Sequence, residues 1–298
     1  MRAHSLIGLS IVFGLACPAA VAAQTAKGDL SGEVSVSKVL APATAVDESD
    51  DTGGGSSAVV RGLLDYDLDF GATDVSVSYD SAARFYDDNT RADRWSNRWT
   101  AGVGSVVSDT VELFGQVAYA SNIGTVEASS TDQIESLARL QFSPNRANRL
   151  RVFGGYRWRD YDADDTDGAG PFYGAEYRYR PKAGHYLTVD LRREEIDSDA
   201  PRRGYDRTIA SLFYQAPVGE SLRLSGGVTA RWWDFAARLA PNGERLTRRT
   251  YTPELELQYA TRPGLLLRGQ LQYSLRNSND PAFSEDIGRA TLTAGYRF

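Results

Sequence analysis

Thr291-Leu-Thr-Ala-Gly-Tyr-Arg-Phe298 closes the sequence on strict alternation. Counting from Ala290, one side of an extended chain would carry Ala290, Leu292, Ala294, Tyr296 and Phe298, and the other Thr291, Thr293, Gly295 and Arg297. Successive side chains of a strand point to opposite faces, so a period of two marks a strand with one apolar and one polar face.

Working back from that stretch, the same period returns about fourteen times, bounded by turn-forming residues. Leu30, Val34, Val36 and Leu40 make the first apolar stripe. Val60, Leu64, Tyr66, Leu68 and Phe70 make the second, against Arg61, Asp65, Asp67 and Asp69. Leu222, Leu224, Val228, Ala230 and Trp232 form the eleventh, and Leu265, Leu267, Leu271, Tyr273 and Leu275 the thirteenth. Residues 205–216 resist assignment, because Ala210, Leu212 and Tyr214 oppose Ile209, Ser211 and Phe213, and both faces are apolar. Tight turns at 71–74, 108–110, 143–148, 181–184, 217–220 and 261–264 alternate with longer polar connections such as 41–57, 160–170, 193–204 and 234–247. Both chain ends fall on the short-turn side.

The other end of the chain fits an exported protein. Arg2 precedes the apolar run Leu6 to Ala16, and Pro18-Ala-Ala-Val-Ala-Ala23 offers small residues for cleavage after Ala23. That is the layout of a secretory signal peptide, so residues 1–23 are expected to be removed and 24–298 to form one domain. Cys17 is the only cysteine, and Gly14 stands where a lipidation motif wants a leucine-like residue. No later segment approaches the ~18 consecutive apolar residues of a membrane helix.

A strand ending on phenylalanine, with leucine or aromatic residues at the alternate positions before it, resembles the closing strand of Gram-negative outer-membrane β-barrels. The resemblance implies an all-β, single closed antiparallel transmembrane barrel with short periplasmic turns and long extracellular loops. It also implies that Tyr296 and Phe298 are what the barrel-assembly machinery reads, and that outer-membrane lipid and lipopolysaccharide surround the wall. The closing hairpin, from Tyr273-Ser-Leu-Arg-Asn-Ser-Asn279 to Phe298, is more loosely similar to the barrel of surface-lipoprotein assembly modifiers. It is similar too to porins associated with exopolysaccharide export.

The bottom-up pattern agrees. Barrel strands alternate apolar-out and polar-in, which reconciles a hydrophilic average composition with a membrane address. Sixteen tyrosines and five tryptophans suit aromatic girdles at two interfaces. A secreted sandwich or propeller also alternates, but predicts neither the long–short rhythm nor its pairing with a leader and a terminal phenylalanine. About fourteen strands, between the packed eight and the open 16–18, should leave a lumen narrowed by long side chains.

Chemistry is sparse. His185, the one histidine beyond the leader, falls in a short turn, away from the rim where a hydrolase base would sit; no enzyme activity is expected. Asp162-Ala-Asp-Asp-Thr-Asp-Gly168 departs from a calcium loop at two ligand positions, Ala163 and Gly174, so no metal or other cofactor is expected. No nucleic-acid partner is expected either; the formal charge is −6.

The informative charges lie on the polar face. Inward positions of the first three strands carry Glu33, Asp65, Asp67, Asp69, Asp74 and Asp80. Those of the seventh to ninth carry Arg151, Arg157, Arg159, Arg178, Arg180 and Arg192, with Arg223 and Arg231 on the eleventh. In a ring of about fourteen the second and ninth strands stand nearly opposite. An acidic wall would then face a basic wall across water, as in porin-like channels that select by a transverse field. The expectation is a passive channel for small polar or charged solutes. The alternatives are an assembly or export barrel, and a structural barrel whose acidic loops hold lipopolysaccharide through divalent cations.

Overall fold

The computed structural model describes residues 27–42, 55–88, 92–125, 130–161, 166–261 and 263–298. The expected leader, Cys17, the acidic run 47–51 and residues 162–165 lie outside the described residues.

The first seven strands are β1 (Lys27–Leu40), β2 (Ser57–Asp69), β3 (Thr73–Tyr86), β4 (Arg94–Ser108), β5 (Val111–Ile123), β6 (Thr131–Asn145) and β7 (Asn148–Tyr161). The remainder are β8 (Thr166–Tyr179), β9 (Tyr186–Ser198), β10 (Tyr205–Pro217), β11 (Leu222–Leu239), β12 (Arg245–Ala260), β13 (Gly264–Ser278) and β14 (Ile287–Arg297). Each pairs antiparallel with its sequence neighbours, and β14 returns to β1 to close the barrel. Short single turns of 3-10 helix, Pro201–Arg203 and Pro281–Phe283, sit in two of the connections.

Closure removes the edge that every open sheet leaves bare. At the seam, Glu33 faces Arg297 in register, with Arg297 Nε donating to Glu33 Oε2 at 2.9 Å. Gly32 and Phe298 exchange backbone hydrogen bonds of 3.0 and 3.1 Å. A Cβ on residue 32 would stand 2.5 Å from the Phe298 ring and 2.9 Å from the Leu63 carbonyl. Only glycine leaves room for the ring to lie there.

The outer surface is apolar because the outward parity carries the stripes seen in the sequence. Leu292, Leu271, Leu191 and Val36 are exposed, which in water would be a large liability and in lipid is the ordinary state. Aromatic residues border this aliphatic band on both sides. Tyr66, Phe142, Tyr179, Tyr214, Tyr259 and Tyr296 stand toward the short-turn end; Trp95, Trp99, Tyr119, Trp158, Tyr251 and Tyr273 stand toward the other. The register of residues 205–216 is settled by Ala210 pairing with Leu191 and Leu212 with Val189. Ala210, Leu212 and Tyr214 face out; Ile209 and Phe213 face in.

Several expected loops are instead strand. Residues 160–170, 193–204 and 234–247 are mostly absorbed into β7 to β12, which reach 18 residues in β11 and 16 in β12. About 9–11 residues suffice to cross a bilayer at a tilt, so these strands project beyond it. The polarity of the two faces inverts there. Outward positions become Asp160, Arg193, Glu195, Asp206 and Asp234, while inward ones become Ile196, Tyr205, Trp233, Phe235 and Leu246. Sequence reading took the charges at 193–204 for a loop because the charged face lies on the outside.

Candidate functional site

Inside the barrel the long-loop end is packed. Ile196, Tyr205, Trp233, Phe235 and Leu246 form a buried cluster, closed above by Phe283. Trp233 and Phe235 stack with ring centroids 6.0 Å apart and planes within 4°. Arg248 lies 4.5 Å from the Phe283 ring and Arg207 4.6 Å from Trp233, contacts that hold a cation over an aromatic face.

Directly beneath sits Glu194, with no exposed surface. It is a direct cross-strand partner of Arg207, whose Nη2 donates to it at 2.5 Å. Arg157 Nη1 donates at 2.6 Å and the Tyr205 hydroxyl at 2.8 Å. Arg159 and Arg192 add ion pairs of 3.6 Å each. Arg157 turns its other edge to Glu135, its register partner on β6, through Nε at 3.0 Å and Nη2 at 2.7 Å. Arg159, 2 % exposed, donates to Gln133 and to Tyr205. A buried carboxylate is tolerable only when paired and hydrogen-bonded, and four guanidiniums meet that need here.

The opposite sector is less buried. Asp65, Asp67 and Asp69 follow the inward parity of β2, and Asp74 and Asp80 that of β3. Asp67, Asp69 and Asp74 are exposed. Asp69 faces Asp74 directly in register. Arg61 stands among them and clamps Asp80 with two donors.

The residues expected to make two walls follow the inward parity of their strands, apart from Arg180, but each sector contains the other sign. Arg61 belongs to the acidic side; Glu135, Glu176 and Glu194 belong to the basic side. Arg157, Arg159 and Arg192 are paired within their own wall and do not look across water. Arg151 donates to Gln141 at 2.7 Å and to Glu176 at 3.4 Å. Arg178 packs 5.6 Å from the Tyr186 ring. Arg223 is exposed near the start of β11, and Arg180 lies beyond the end of β8 rather than in it. Reading one sign per strand missed these pairs, because the compensating residue is on the neighbouring strand at a register that only the fold supplies. Glu194 had a signal: the inward parity Asp190, Arg192, Glu194, Ile196 runs straight through the expected loop.

His185 lies in the β8–β9 turn with Nδ1 2.7 Å from the Tyr214 hydroxyl. Among the described residues no group of three or more His, Cys, Asp or Glu side chains is placed to hold a metal ion.

No protein-family model and no curated protein matches the sequence. Solved structures do match. The outer membrane channel DcaP of Acinetobacter baumannii superposes with a TM-score of 0.54 at 12% identity, over 92% of this chain and 97% of that one. OmpT, an outer membrane protein of Vibrio cholerae, gives 0.53 at 9% identity over 92% and 98%. A loop-deletion mutant of that protein gives 0.53 at 11% identity over 92% and 100%. At such identities the likeness is one of fold, and the fold is that of a Gram-negative outer-membrane β-barrel, porin-like in architecture.

Proposed function

We propose that this outer-membrane barrel is a passive channel for small hydrophilic solutes. The observation that carries the reading is the contrast inside the lumen. Charged side chains on β2, β3 and β11 stand exposed to water, while the β7–β12 sector is packed at the long-loop end. A barrel filled for structural reasons alone would bury both sectors. A solute crosses by diffusion along the open sector, meeting carboxylates of β2–β3 on one side and arginines of β6–β8 on the other. No chemical step is needed.

The leader, cleaved after Ala23, delivers the chain across the inner membrane. The short-turn end faces the periplasm, and Tyr296 and Phe298 are read by the assembly machinery. Deleting Phe298 should lower the amount of heat-modifiable barrel in outer membranes; unchanged amounts would remove that role.

Conductance of the purified protein in a planar bilayer tests the channel itself. Steady ohmic current that scales with salt is expected. A folded, heat-modifiable barrel that carries no current would point to an assembly or structural role instead.

A further inference from the structure

Four inward arginines gather toward the short-turn end of the β6–β8 wall: Arg139, Arg149, Arg151 and Arg178. Arg149 and Arg178 are direct cross-strand partners, an arrangement in which like charges destabilise a sheet. Arg149 also lies within electrostatic reach of Arg139 and Arg151. The carboxylates that answer both Arg149 and Arg139 are Glu176 and Glu112, and Asp74 also reaches Arg139. Glu176 Oε1 is shared, 3.5 Å from Arg149 and 3.4 Å from Arg151. Glu112 already accepts from the Gln141 amide at 2.6 Å, and Glu176 faces Asp190 in register.

The donors are poorly matched. Arg151 bonds to Gln141 and Glu176, but Arg139, Arg149 and Arg178 make no hydrogen bond to any described residue. The Nε atoms of these three are buried without an acceptor, and Nη2 of Arg149 has the 3.5 Å ion pair to Glu176 but no hydrogen bond. A guanidinium has five donors and no acceptor of its own, and desolvated donors without partners cost free energy. Two of these side chains are nonetheless braced against rings. Arg139 lies 4.2 Å from the Phe114 ring and Arg178 5.6 Å from Tyr186. The result is three inward cations, two of them facing one another, with unfilled donors.

We propose that Arg139, Arg149 and Arg178 bind the oxyanion group of a solute, a phosphate or a carboxylate, at the short-turn end of the lumen. Such a group supplies the missing acceptors, matches the planar fork of a guanidinium and relieves the Arg149–Arg178 repulsion. The proposal deepens the channel reading and rests on it only for the route by which the solute arrives.

Two measurements with inorganic phosphate keep the site and the channel separable. In a planar bilayer, phosphate exchanged for chloride at constant ionic strength should reduce current through the wild-type barrel. In Arg149→Gln/Arg178→Gln that block should be roughly tenfold weaker or absent, the loss of at least one charge-assisted hydrogen bond. In detergent, phosphate should raise the unfolding temperature of the wild type above that in chloride, and not that of the double variant. A barrel that conducts but shows neither effect overturns the site and leaves the channel standing. A barrel that carries no current yet gains phosphate stability through these arginines keeps the site and overturns the channel. Equal stabilisation of wild type and variant is a general salt effect and overturns the site. Should the double variant not fold, Arg178→Lys, which keeps the charge and loses the fork, should weaken the block; unchanged block would overturn the proposal.

Discussion

At the long-loop end Arg157 finds Glu135 directly across on β6 and Glu194 beyond it; at the short-turn end Arg149 finds Arg178. The first arginine is 3 % exposed and fully bonded, and the second has a 3.5 Å ion pair to Glu176 and an Nε buried without an acceptor. Both lie on β7, four turns of the inward parity apart. The same residue type on one strand is thus fully bonded in one place and left with unmatched donors in another. What separates them is the neighbour in register and the apolar roof over the upper cluster. Charge counts along a strand do not reveal which arginines a solute could meet.

The sharpest way to break this comparison is Glu194→Gln. It leaves Arg157, Arg159, Arg192 and Arg207 around a neutral side chain, and removing one partner of a buried ion pair costs about 3–5 kcal/mol. Denaturant unfolding in detergent measures it. A loss below about 1 kcal/mol, the scale of an exposed pair, would mean that the upper cluster is solvated like the lower one.

Next comes the lipid face, against which both ends are defined. Val228→Arg, on the outward parity of β11 within the aliphatic band, should cost about 2–4 kcal/mol near the bilayer midplane. Thr229→Arg, its inward neighbour, should be tolerated. Equal damage at both positions would turn the barrel into a two-sided core and abolish the notion of a lining.

A smaller effect, electrical rather than energetic, is expected from the acidic side. Asp65→Asn/Asp67→Asn/Asp69→Asn should shift the reversal potential under a salt gradient toward anions, most strongly at low salt, because screening at physiological salt falls to about 8 Å. Arg157→Gln should leave the reversal potential where it was, since that side chain is enclosed. If Arg157→Gln shifts ion preference as much as the aspartate changes do, the two ends do not differ in access.

The smallest effect belongs to Lys38 and Asp87, an exposed pair at 2.6 Å. Breaking it with Lys38→Gln should change stability by about 0–1 kcal/mol, and a larger loss would show that rim pairs carry weight here.

The recurring alternation that ends on Phe298 was enough to read the approximate strand number and the apolar face, because both follow from a period of two; closure and the lipid around that face followed from the resemblance of the closing strand to outer-membrane barrels. Tyr214 and Leu212 could not be assigned, since Ile209 and Phe213 on the other face are equally apolar; the upper cluster and the lipid demand both. Asp65 and Arg178 were legible as inward residues from parity alone. Glu194, Glu135 and Tyr205 were not legible as one site, for they come from three strands, and strand-to-strand register is a long-range property. The inversion of polarity above the bilayer was hidden for a related reason: a charged outward face with an apolar inward one resembles a polar loop when no membrane boundary is marked.

The seam between β1 and β14 has a kinetic consequence. Arg297 and Glu33 are 264 positions apart, while every other strand pairing joins sequence neighbours. Each hairpin can zip locally, but the ring is sealed by the most distant contact in the molecule, the kind that folding reaches last and slowest. Until then two strands stand with unpaired edges, able to accept a strand from elsewhere. The Gly32–Phe298 backbone exchange belongs to that last contact, and the interval before it is when an incomplete barrel is most exposed to wrong partners.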